Sequence, residues 1–176
     1  MDGDTVFPYP HLPIEWMMNL WGIQHNTFIA MAREIDAPRS YDSHGQLVLN
    51  TGFIIAQQSP RTEEMFEAWK DCIHDIRYPG CSNYTDRFSH EQYAFGNWVR
   101  YDFNSTDEVV TIPCSDAMGF PGRAGEGEEC QGDLLGHYTL DKDMAIQAVQ
   151  RSLMRYLMQD VHREFYREYV QLGGSR

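Results

Sequence analysis

Apolar residues along the chain fall into short runs that predict a series of β-strands. The longest run covers residues 47–56 and is interrupted at Asn50, Thr51 and Gly52. A glycine inside a strand often marks a close approach of backbone or ligand. Shorter runs of β-forming residues cover 5–7, 28–32 and 109–112. Strands of this kind, alternating with helical segments, predict an α/β fold.

Spacings of three and four residues between apolar positions predict the helices. We expect helices over residues 13–20, from residue 59 onward, over 88–99, and from 143 to about 169. The apolar stripe of the second helix consists of Met65, Trp69, Cys72 and Ile76. The stripe of the last helix consists of Ile146, Val149, Leu153 and Leu157. The glycine-rich segment over 115–132 is typical of a loop.

Composition limits the class of protein. The chain has 176 residues, 42% of them hydrophobic, which is enough for a packed domain and argues against disorder. A formal charge of -12 argues against a nucleic-acid partner, because an acidic surface repels phosphates. No apolar run approaches the roughly 20 residues of a membrane helix, so the chain as given is expected to be soluble.

The cysteines are Cys72, Cys81, Cys114 and Cys130, and they contain no C-x-x-C pair that would indicate zinc. An even number suits disulfides in an oxidising lumen. We predict a bridge between Cys114 and Cys130, which flank the glycine-rich segment. Cys72 with Cys81 is the alternative pair, and four free thiols are the remaining possibility. Glycosylation sequons at Asn83 and Asn104 also suit a lumenal protein.

A D-x-D motif, Asp2-Gly3-Asp4, opens the chain just before a predicted strand. Hard divalent cations prefer carboxylate oxygens, and an added imidazole suits manganese. His137 follows the glycine-rich segment, and Lys142 lies five residues further on, where it suits a phosphate. We expect both carboxylates to lie within about 4–7 Å of the His137 ring. The alternative is an exposed acidic terminus and an ordinary histidine at a loop junction.

Two further polar motifs interrupt apolar segments. Asn50 at the strand break indicates either a β-bulge with a capping side chain or a binding residue. Glu91 and Gln92 lie near a helix start, where Glu91 also complements the helix dipole. Successive helical residues point about 100° apart, so the two cannot face one point equally. We predict that Gln92 faces the metal site and that Phe95, one turn on, packs in the core.

Five motifs follow one another along the chain: D-x-D, L-N-x-G-hydrophobic, S-P-x-[ST] with a tryptophan seven residues on, E-Q, and H-[YF]-x-x-x-K. In this order they resemble the galactosyl-, mannosyl- and xylosyltransferases of glycosyltransferase family 34. They are also similar to fungal nucleotide-diphospho-sugar transferases. The resemblance runs from Asp2 to about Lys142, and the segment 152–158 is similar to the tail of the fungal proteins.

The resemblance implies a GT-A fold, with residues 1–142 forming part of its catalytic domain and 143–176 a C-terminal helix that packs on it. The implied reaction is metal-dependent, retaining transfer of a hexose or pentose from a UDP- or GDP-sugar to a glycan acceptor. The implied cofactor is manganese. The implied location of the full-length parent is the Golgi lumen, as a type II membrane protein.

Matched motif by motif, the resemblance also implies roles for particular residues. The implied metal ligands are Asp2, Asp4 and His137. The implied donor-binding residues are Asn50, Gly52 and Lys142. The implied catalytic residues are Gln92, near the anomeric carbon, and Glu91 before it. One departure is that Thr139, Leu140 and Asp141 stand where the family usually has glycine between the late histidine and lysine.

A GT-A domain also has a nucleoside-binding half before its D-x-D motif, so we expect the chain to be a fragment or a truncated paralogue. On that expectation the isolated chain binds manganese weakly and does not turn over a donor unaided. An alternative function is a catalytically incomplete remnant that binds metal or a partner, including another copy or another glycosyltransferase. A two-carboxylate hydrolase is a third interpretation, but Glu91 is followed by Gln92 rather than a second acid.

Overall fold

The computed structural model describes residues 1–86, 89–103, 108–122 and 128–170. The fold is α/β, as the sequence predicts. The described strands are β1 (Thr5–Val6), β2 (Ile29–Arg33), β3 (Leu49–Ala56), β4 (Val109–Ile112), β5 (Ala117–Gly119) and β6 (Leu135–His137). The described α-helices are α1 (Ile14–Leu20), α2 (Pro60–Lys70), α3 (His90–Ala94), α4 (Arg100–Phe103) and α5 (Lys142–Phe165).

The strands form two small mixed sheets. In the first sheet, β2 lies between β3, to which it is antiparallel, and β4, to which it is parallel. In the second sheet, β6 lies between an antiparallel β1 and a parallel β5. Thr5 lies opposite His137 in this second sheet. The pairing therefore brings the D-x-D motif next to a histidine that is far away along the chain.

The core lies on both faces of β2. Ile29 and Met31 pack with α2 and the helices that follow it, whereas Ala30 and Ala32 pack with α1 and the second sheet. Their side chains are all 0% exposed. A strand covered on both faces has a continuous apolar sequence, which explains the run that the pattern shows there.

Helix α2 begins with a capped first turn, in which Thr62 donates its backbone N–H to Ser59 Oγ at 3.1 Å. The stripe members that pack in the core are Met65, Trp69 and Cys72. The inclusion of Ile76 in that stripe is wrong, since its side chain is 71% exposed. The α-helix ends at Lys70, and the chain then turns through a short 3-10 segment and a left-handed residue, Asp75.

Both cysteine pairs form disulfides, so the hypothesis of four free thiols is wrong. The predicted bridge between Cys114 and Cys130 is confirmed, with Cα atoms 4.8 Å apart. The pair that the sequence left as an alternative, Cys72 and Cys81, is bridged as well, with Cα atoms 5.0 Å apart. The first bridge packs against Phe120 behind the second sheet. Each bridge stabilises a surface segment mainly by restricting the unfolded chain.

Helix α5 contacts the rest of the protein through small residues. Ala145 and Ser152 are buried, and Ser152 Oγ donates a hydrogen bond to the carbonyl of Pro8 at 2.6 Å. The predicted apolar stripe lies instead at the surface, with exposed fractions from 43% at Val149 to 61% at Ile146. Within the described ranges, no helix combines the length and the apolarity that crossing a bilayer requires.

The helix expected over 88–99 is present from His90 onward, but it is not α-helical throughout. After α3 the chain forms a π-helical turn at Phe95–Val99, a feature frequent near functional sites. Strand β5 lies within the segment that the sequence predicts as a loop, so that prediction is wrong for residues 117–119. Phe88, the Asn104 sequon and residues 123–127 lie outside the described residues. The other sequon residue, Asn83, is exposed.

Candidate metal centre

Three predicted ligands meet at one end of the second sheet. Asp2 and Asp4 lie just before β1, and His137 is the last residue of β6. His137 Nε2 lies 3.2 Å from Asp4 Oδ1 and 3.8 Å from Asp2 Oδ2. One ligand atom from each residue lies within 4.8 Å of the others. The expected convergence is confirmed, whereas the role of these residues as metal ligands stays a prediction.

Backbone pairing positions these ligands. Tyr138 donates its N–H to the carbonyl of Asp4 at 2.9 Å, which continues the β1–β6 ladder past His137. Asp2 donates its N–H to the carbonyl of Gly52 at 2.7 Å. The D-x-D motif is therefore held between strand β6 on one side and the bulged part of β3 on the other.

Some buried atoms of this group have no hydrogen-bond partner among the residues that the structure describes. The side chains of Asp4 and His137 are 11% and 8% exposed. Within the described residues, Asp4 Oδ1 and both ring nitrogens of His137 have no hydrogen-bond partner. The contact between Nε2 and Oδ1 is close enough for a hydrogen bond, but its alignment does not make one. Buried polar atoms nearly always have a partner. A cation bound between Asp4 and His137 would be a partner for the unpaired carboxylate oxygen and for a ring nitrogen.

The donor set fits manganese. It combines two carboxylates with one imidazole, a mixture of hard oxygen and borderline nitrogen ligands. Asp2 is 60% exposed, which leaves open directions for ligands from solvent or from a phosphate. Lys142, the first residue of α5, places Nζ 3.9 Å from Asp4 Oδ2. Its side chain is 78% exposed, so the charge is available to an anion.

Two concavities meet at Asp2. The first, which we call the lysine cavity, has a volume of about 630 Å³ and is lined by Asp2, Asp4, Thr139 and Lys142 among others. The second, which we call the strand cavity, has a volume of about 230 Å³. The predicted site residues that line the strand cavity are Asp2, Asn50, Gly52, Glu91, Gln92 and His137. The structure thus brings every predicted site residue to one cavity or the other.

The break in β3 is a β-bulge, as one of the two interpretations of Asn50 required. Pairing with β2 passes from Ile54 directly to Asn50, so the residues between them leave the ladder. Asn50 Oδ1 accepts a hydrogen bond from the Gly52 N–H at 2.8 Å and closes the bulge. Bulges of this kind re-aim side chains beside active sites.

Gly52 lies close to the ends of neighbouring side chains, which leave little space for a side chain of its own. A Cβ atom at this position would lie 2.2 Å from Met118 Cε and 3.2 Å from Asp2 Oδ2. Met118 is itself buried and has a left-handed backbone with a φ of 61°, which is costly for a side chain of this size. The missing side chain at Gly52 therefore lets the bulge approach the candidate ligands.

Glu34 connects the polar residues of the strand cavity. Its Oε2 accepts hydrogen bonds from Asn50 Nδ2 at 3.0 Å and from Gln92 Nε2 at 2.9 Å. Its Oε1 accepts from the Ile35 N–H at 3.1 Å. A carboxylate can only accept here, so it fixes the amide orientation of both partners. The Gln92 carbonyl oxygen is thereby turned towards β3, where the Thr51 N–H lies at 3.4 Å.

Glu91 and Gln92 both line the strand cavity, although Gln92 is buried and Glu91 is exposed. The Glu91 carboxylate accepts a hydrogen bond from Thr51 Oγ1 at 2.8 Å. The two residues that precede them, Ser89 and His90, have backbone φ values of 73° and 22°. Strain of this kind clusters at functional sites. The prediction that Phe95 packs in the core is confirmed, as its side chain is fully buried.

The sequence did not indicate two charged residues of the strand cavity, Glu34 and Arg39. Glu34 comes one residue after the end of β2, and ligands of α/β sheets collect beyond the ends of strands, which is a usable signal. Arg39 is the middle residue of a short 3-10 turn, Pro38–Ser40. Ala37, just before the turn, and Ser40, at its end, are both buried. Its sequence surroundings carry no comparable signal.

The fold and this site define an α/β protein with a candidate divalent-metal centre. The centre lies at the end of the second sheet, beside the bulge of β3. No protein-family model, no curated protein and no solved structure matches the chain.

Proposed function

We propose that the protein is a metal-dependent, retaining glycosyltransferase with a GT-A fold, which moves a hexose or pentose from a nucleotide-diphospho-sugar to a glycan acceptor. The observation that carries the proposal is the pairing of unsatisfied buried ligands, Asp4 and His137, with the exposed cation of Lys142. A diphosphate is the group that needs both a metal and a lysine at one place.

The two cavities would bind different parts of the nucleotide-sugar donor. The lysine cavity, at about 630 Å³, lies in the size range of roughly 300–1,000 Å³ typical of cofactor sites. Its size suits the diphosphate together with the nucleoside that is attached to it. The strand cavity, at about 230 Å³, suits the smaller sugar ring. Asp2 lines both cavities, so the bond between sugar and diphosphate would lie beside it.

The reaction asks for charge and position from the side chains. A bound manganese ion supplies Lewis acidity to the diphosphate. Lys142 contributes a positive charge towards the departing group. The Gln92 carbonyl, oriented by Glu34 and close to the Thr51 N–H, lies at the wall of the strand cavity, where its dipole would stabilise the cation-like sugar carbon. Glu91 accepts a hydrogen bond from the acceptor hydroxyl and orients it. The bond from the sugar carbon to the diphosphate breaks, the acceptor oxygen bonds to that carbon, and the hydroxyl proton leaves with the diphosphate.

The disulfides support the proposed location. Both cysteine pairs are bridged, and disulfides persist in oxidising compartments. A location in the Golgi lumen fits this chemistry. Its partners are then a nucleotide-sugar donor and a glycan acceptor.

The test is manganese-dependent binding of inorganic pyrophosphate, UDP and GDP, measured by calorimetry. Pyrophosphate isolates recognition of the diphosphate from recognition of the nucleoside. We expect binding that requires manganese and that weakens about tenfold or more in Lys142→Met, since a charge-assisted contact contributes about 1.5–3 kcal/mol. The matched control is Lys70→Met, which changes the chain's other lysine, on the surface of α2. Equal weakening by both variants, or binding without manganese, would contradict the proposal.

A second candidate function is a partner-binding module without catalysis. It is favoured by the exposed apolar stripe of α5, because such a stripe on a monomer usually marks an interaction surface. Release of UDP or GDP from a panel of nucleotide sugars separates the two candidates. Manganese-dependent release that is lost in Asp4→Ala supports the enzyme, and the absence of release from every nucleotide sugar of the panel supports the module.

A further inference from the structure

A third concavity, which we call the tryptophan cavity, adjoins the candidate active site. It has a volume of about 190 Å³ and is lined by Trp69, Ile73, Tyr84, His90 and Glu91 among others. Glu91 also lines the strand cavity, and it is the residue that the two concavities share. A group bound in the tryptophan cavity would therefore reach the proposed sugar site at Glu91.

The aromatic wall of the tryptophan cavity is held rigid by its neighbours. The Trp69 ring packs against Phe95 with centroids 4.8 Å apart. The Tyr84 ring packs edge-on against Tyr93 and Trp98, at 4.6 and 4.7 Å. Rings fixed in this way lose little freedom when a ligand binds, which favours affinity.

The opposite wall is braced by a disulfide and a capped loop. The bridge between Cys72 and Cys81 lines the cavity. The carboxylate of Asp75 accepts hydrogen bonds from the Ser82 N–H at 2.7 Å and from Ser82 Oγ at 2.6 Å. These bonds hold the pKa of Asp75 below its usual value. The cavity is thus a preformed feature, built independently of the metal corner.

The junction with the strand cavity is also fixed. Trp69 Nε1 donates a hydrogen bond to the backbone carbonyl of Glu91 at 3.0 Å. On its other side, the Glu91 carboxylate accepts from Thr51 Oγ1. The tryptophan cavity therefore offers aromatic rings and the aliphatic side chain of Ile73 at an exposed rim. It is bounded at its inner edge by Glu91, whose carboxylate lies on the side of the strand cavity.

These features suit a neutral sugar ring. A pyranose presents C–H groups on its faces, which pack on aromatic rings, and hydroxyls around its edge, which a carboxylate accepts from. The volume is below the roughly 300–1,000 Å³ of a typical drug-sized site, so it holds a single ring. An anionic group is disfavoured by Glu91 and by the net charge of -12.

We infer that the tryptophan cavity binds one neutral sugar ring of the glycan acceptor and presents its hydroxyl to Glu91. This inference rests on the proposed function, which supplies the need for an acceptor. It adds the place where the acceptor binds, the chemical class of the ring, and Trp69 as the residue that recognises it.

The experiment measures binding of three neutral oligosaccharides, cellotetraose, mannotetraose and xylotetraose, by saturation-transfer NMR and calorimetry. We expect at least one to bind, with an affinity that falls tenfold or more in Trp69→Ala. Ile73→Asp provides a second variant, because its side chain is 58% exposed and its replacement leaves the core intact. The control is Trp16→Ala, an exposed tryptophan of α1 that does not line the cavity.

Manganese-dependent pyrophosphate binding is measured on the same samples, and all variants are expected to retain it. Failure of all three oligosaccharides to bind overturns the inference, as does binding that neither Trp69→Ala nor Ile73→Asp weakens more than the control. Oligosaccharide binding that depends on Trp69, in a protein that does not bind manganese and pyrophosphate, supports the assignment of the cavity and contradicts the proposed function. The two failures are therefore distinguishable.

Discussion

Two neighbouring polar clusters, which meet at the strand cavity through His137 and Glu34, differ in how completely their atoms are paired. In the first cluster, Asp4 and His137 are buried with atoms that lack hydrogen-bond partners in the described part of the chain. In the second, Glu34 accepts hydrogen bonds on both carboxylate oxygens and connects Asn50 with Gln92. Both clusters place charge in partly or fully buried positions, but only one of them satisfies it internally.

The difference separates binding from positioning. A buried polar group without a partner destabilises the free protein by about 1–3 kcal/mol, and a ligand that binds to the group offsets this loss of stability. A satisfied cluster instead stabilises the fold and fixes the geometry of its members. We therefore expect changes in the first cluster to reduce binding and changes in the second to reduce stability.

The largest effect is expected from Asp4→Ala. Manganese affinity should fall by more than about a hundredfold, because even residues behind the direct ligands contribute about 10–100-fold. The metal-free protein should unfold at the same or a higher urea concentration, since a buried carboxylate has been removed. Asp133→Ala, at an exposed aspartate, is the control for both measurements. A large loss of metal-free stability in Asp4→Ala would end the distinction between the clusters.

The next effect is expected from Glu34→Ala, which leaves the amide groups of Asn50 and Gln92 unpaired. Its cost should be about 2 kcal/mol in the free energy of unfolding, measured by urea denaturation. Glu34→Gln should cost about half as much, because it keeps one acceptor oxygen. Manganese affinity should change less than in Asp4→Ala. Equal stability of wild type and Glu34→Ala would show that the hydrogen bonds of Glu34 contribute nothing.

Gln92→Ala sharpens the comparison through catalysis. In a form of the enzyme that transfers sugar, kcat should fall about tenfold or more, equivalent to about 1.4 kcal/mol, with little change in KM. The physical reason is that the oriented carbonyl acts on charge that develops in the transition state. Steady-state kinetics over a range of donor concentrations measures both constants. A change confined to KM would reassign Gln92 to donor binding.

Gly52→Ala should link the two clusters. The added Cβ displaces the buried Met118 methyl and crowds Asp2 Oδ2, so stability should fall by about 1–2 kcal/mol and manganese affinity should fall with it. Gly3→Ala is the matched control inside the D-x-D motif, because its Cβ would have no atom within 4 Å. Calorimetry and thermal unfolding of the two variants make the test. Equal behaviour of both would show that the bulge can shift freely.

The smallest effect is expected from Asp75, a satisfied carboxylate outside the site. Its pKa is lowered from 3.8 by hydrogen bonds from Ser82, so its contribution to stability is fully present above pH 3.8 and is lost as the pH falls below it. Asp75→Asn should therefore show less loss of stability than wild type between about pH 5 and pH 2. Urea denaturation across that range is the measurement. Identical acid dependence in the two proteins would contradict the cause given for the shift.

The sequence predicts the local features of this fold better than the long-range ones. The break at Asn50, the continuous apolar run of β2 and the Cys114–Cys130 bridge all follow from local patterns. The convergence of Asp2, Asp4 and His137 follows from motif order rather than from any pattern of burial. The resemblance to a glycosyltransferase family stays a hypothesis.

What the sequence does not predict depends on tertiary contacts. Glu34 gains its role because β2 and α3 bring it between Asn50 and Gln92, and no local pattern encodes that meeting. Ile76 has helical spacing, but the helix ends before it and leaves it exposed. The stripe of α5 is apolar and yet lies at the surface, because small residues such as Ala145 make the contact instead.

The central claim is that His137 is a direct ligand of a divalent cation. Electron spin-echo modulation of the protein with bound manganese measures coupling to a coordinated imidazole nitrogen. We expect such a coupling in wild type and its loss in His137→Gln. The signal should be retained in His44→Gln, since this exposed histidine lies outside the strand cavity. Manganese bound without any nitrogen coupling, or a coupling that survives in His137→Gln, would contradict the claim.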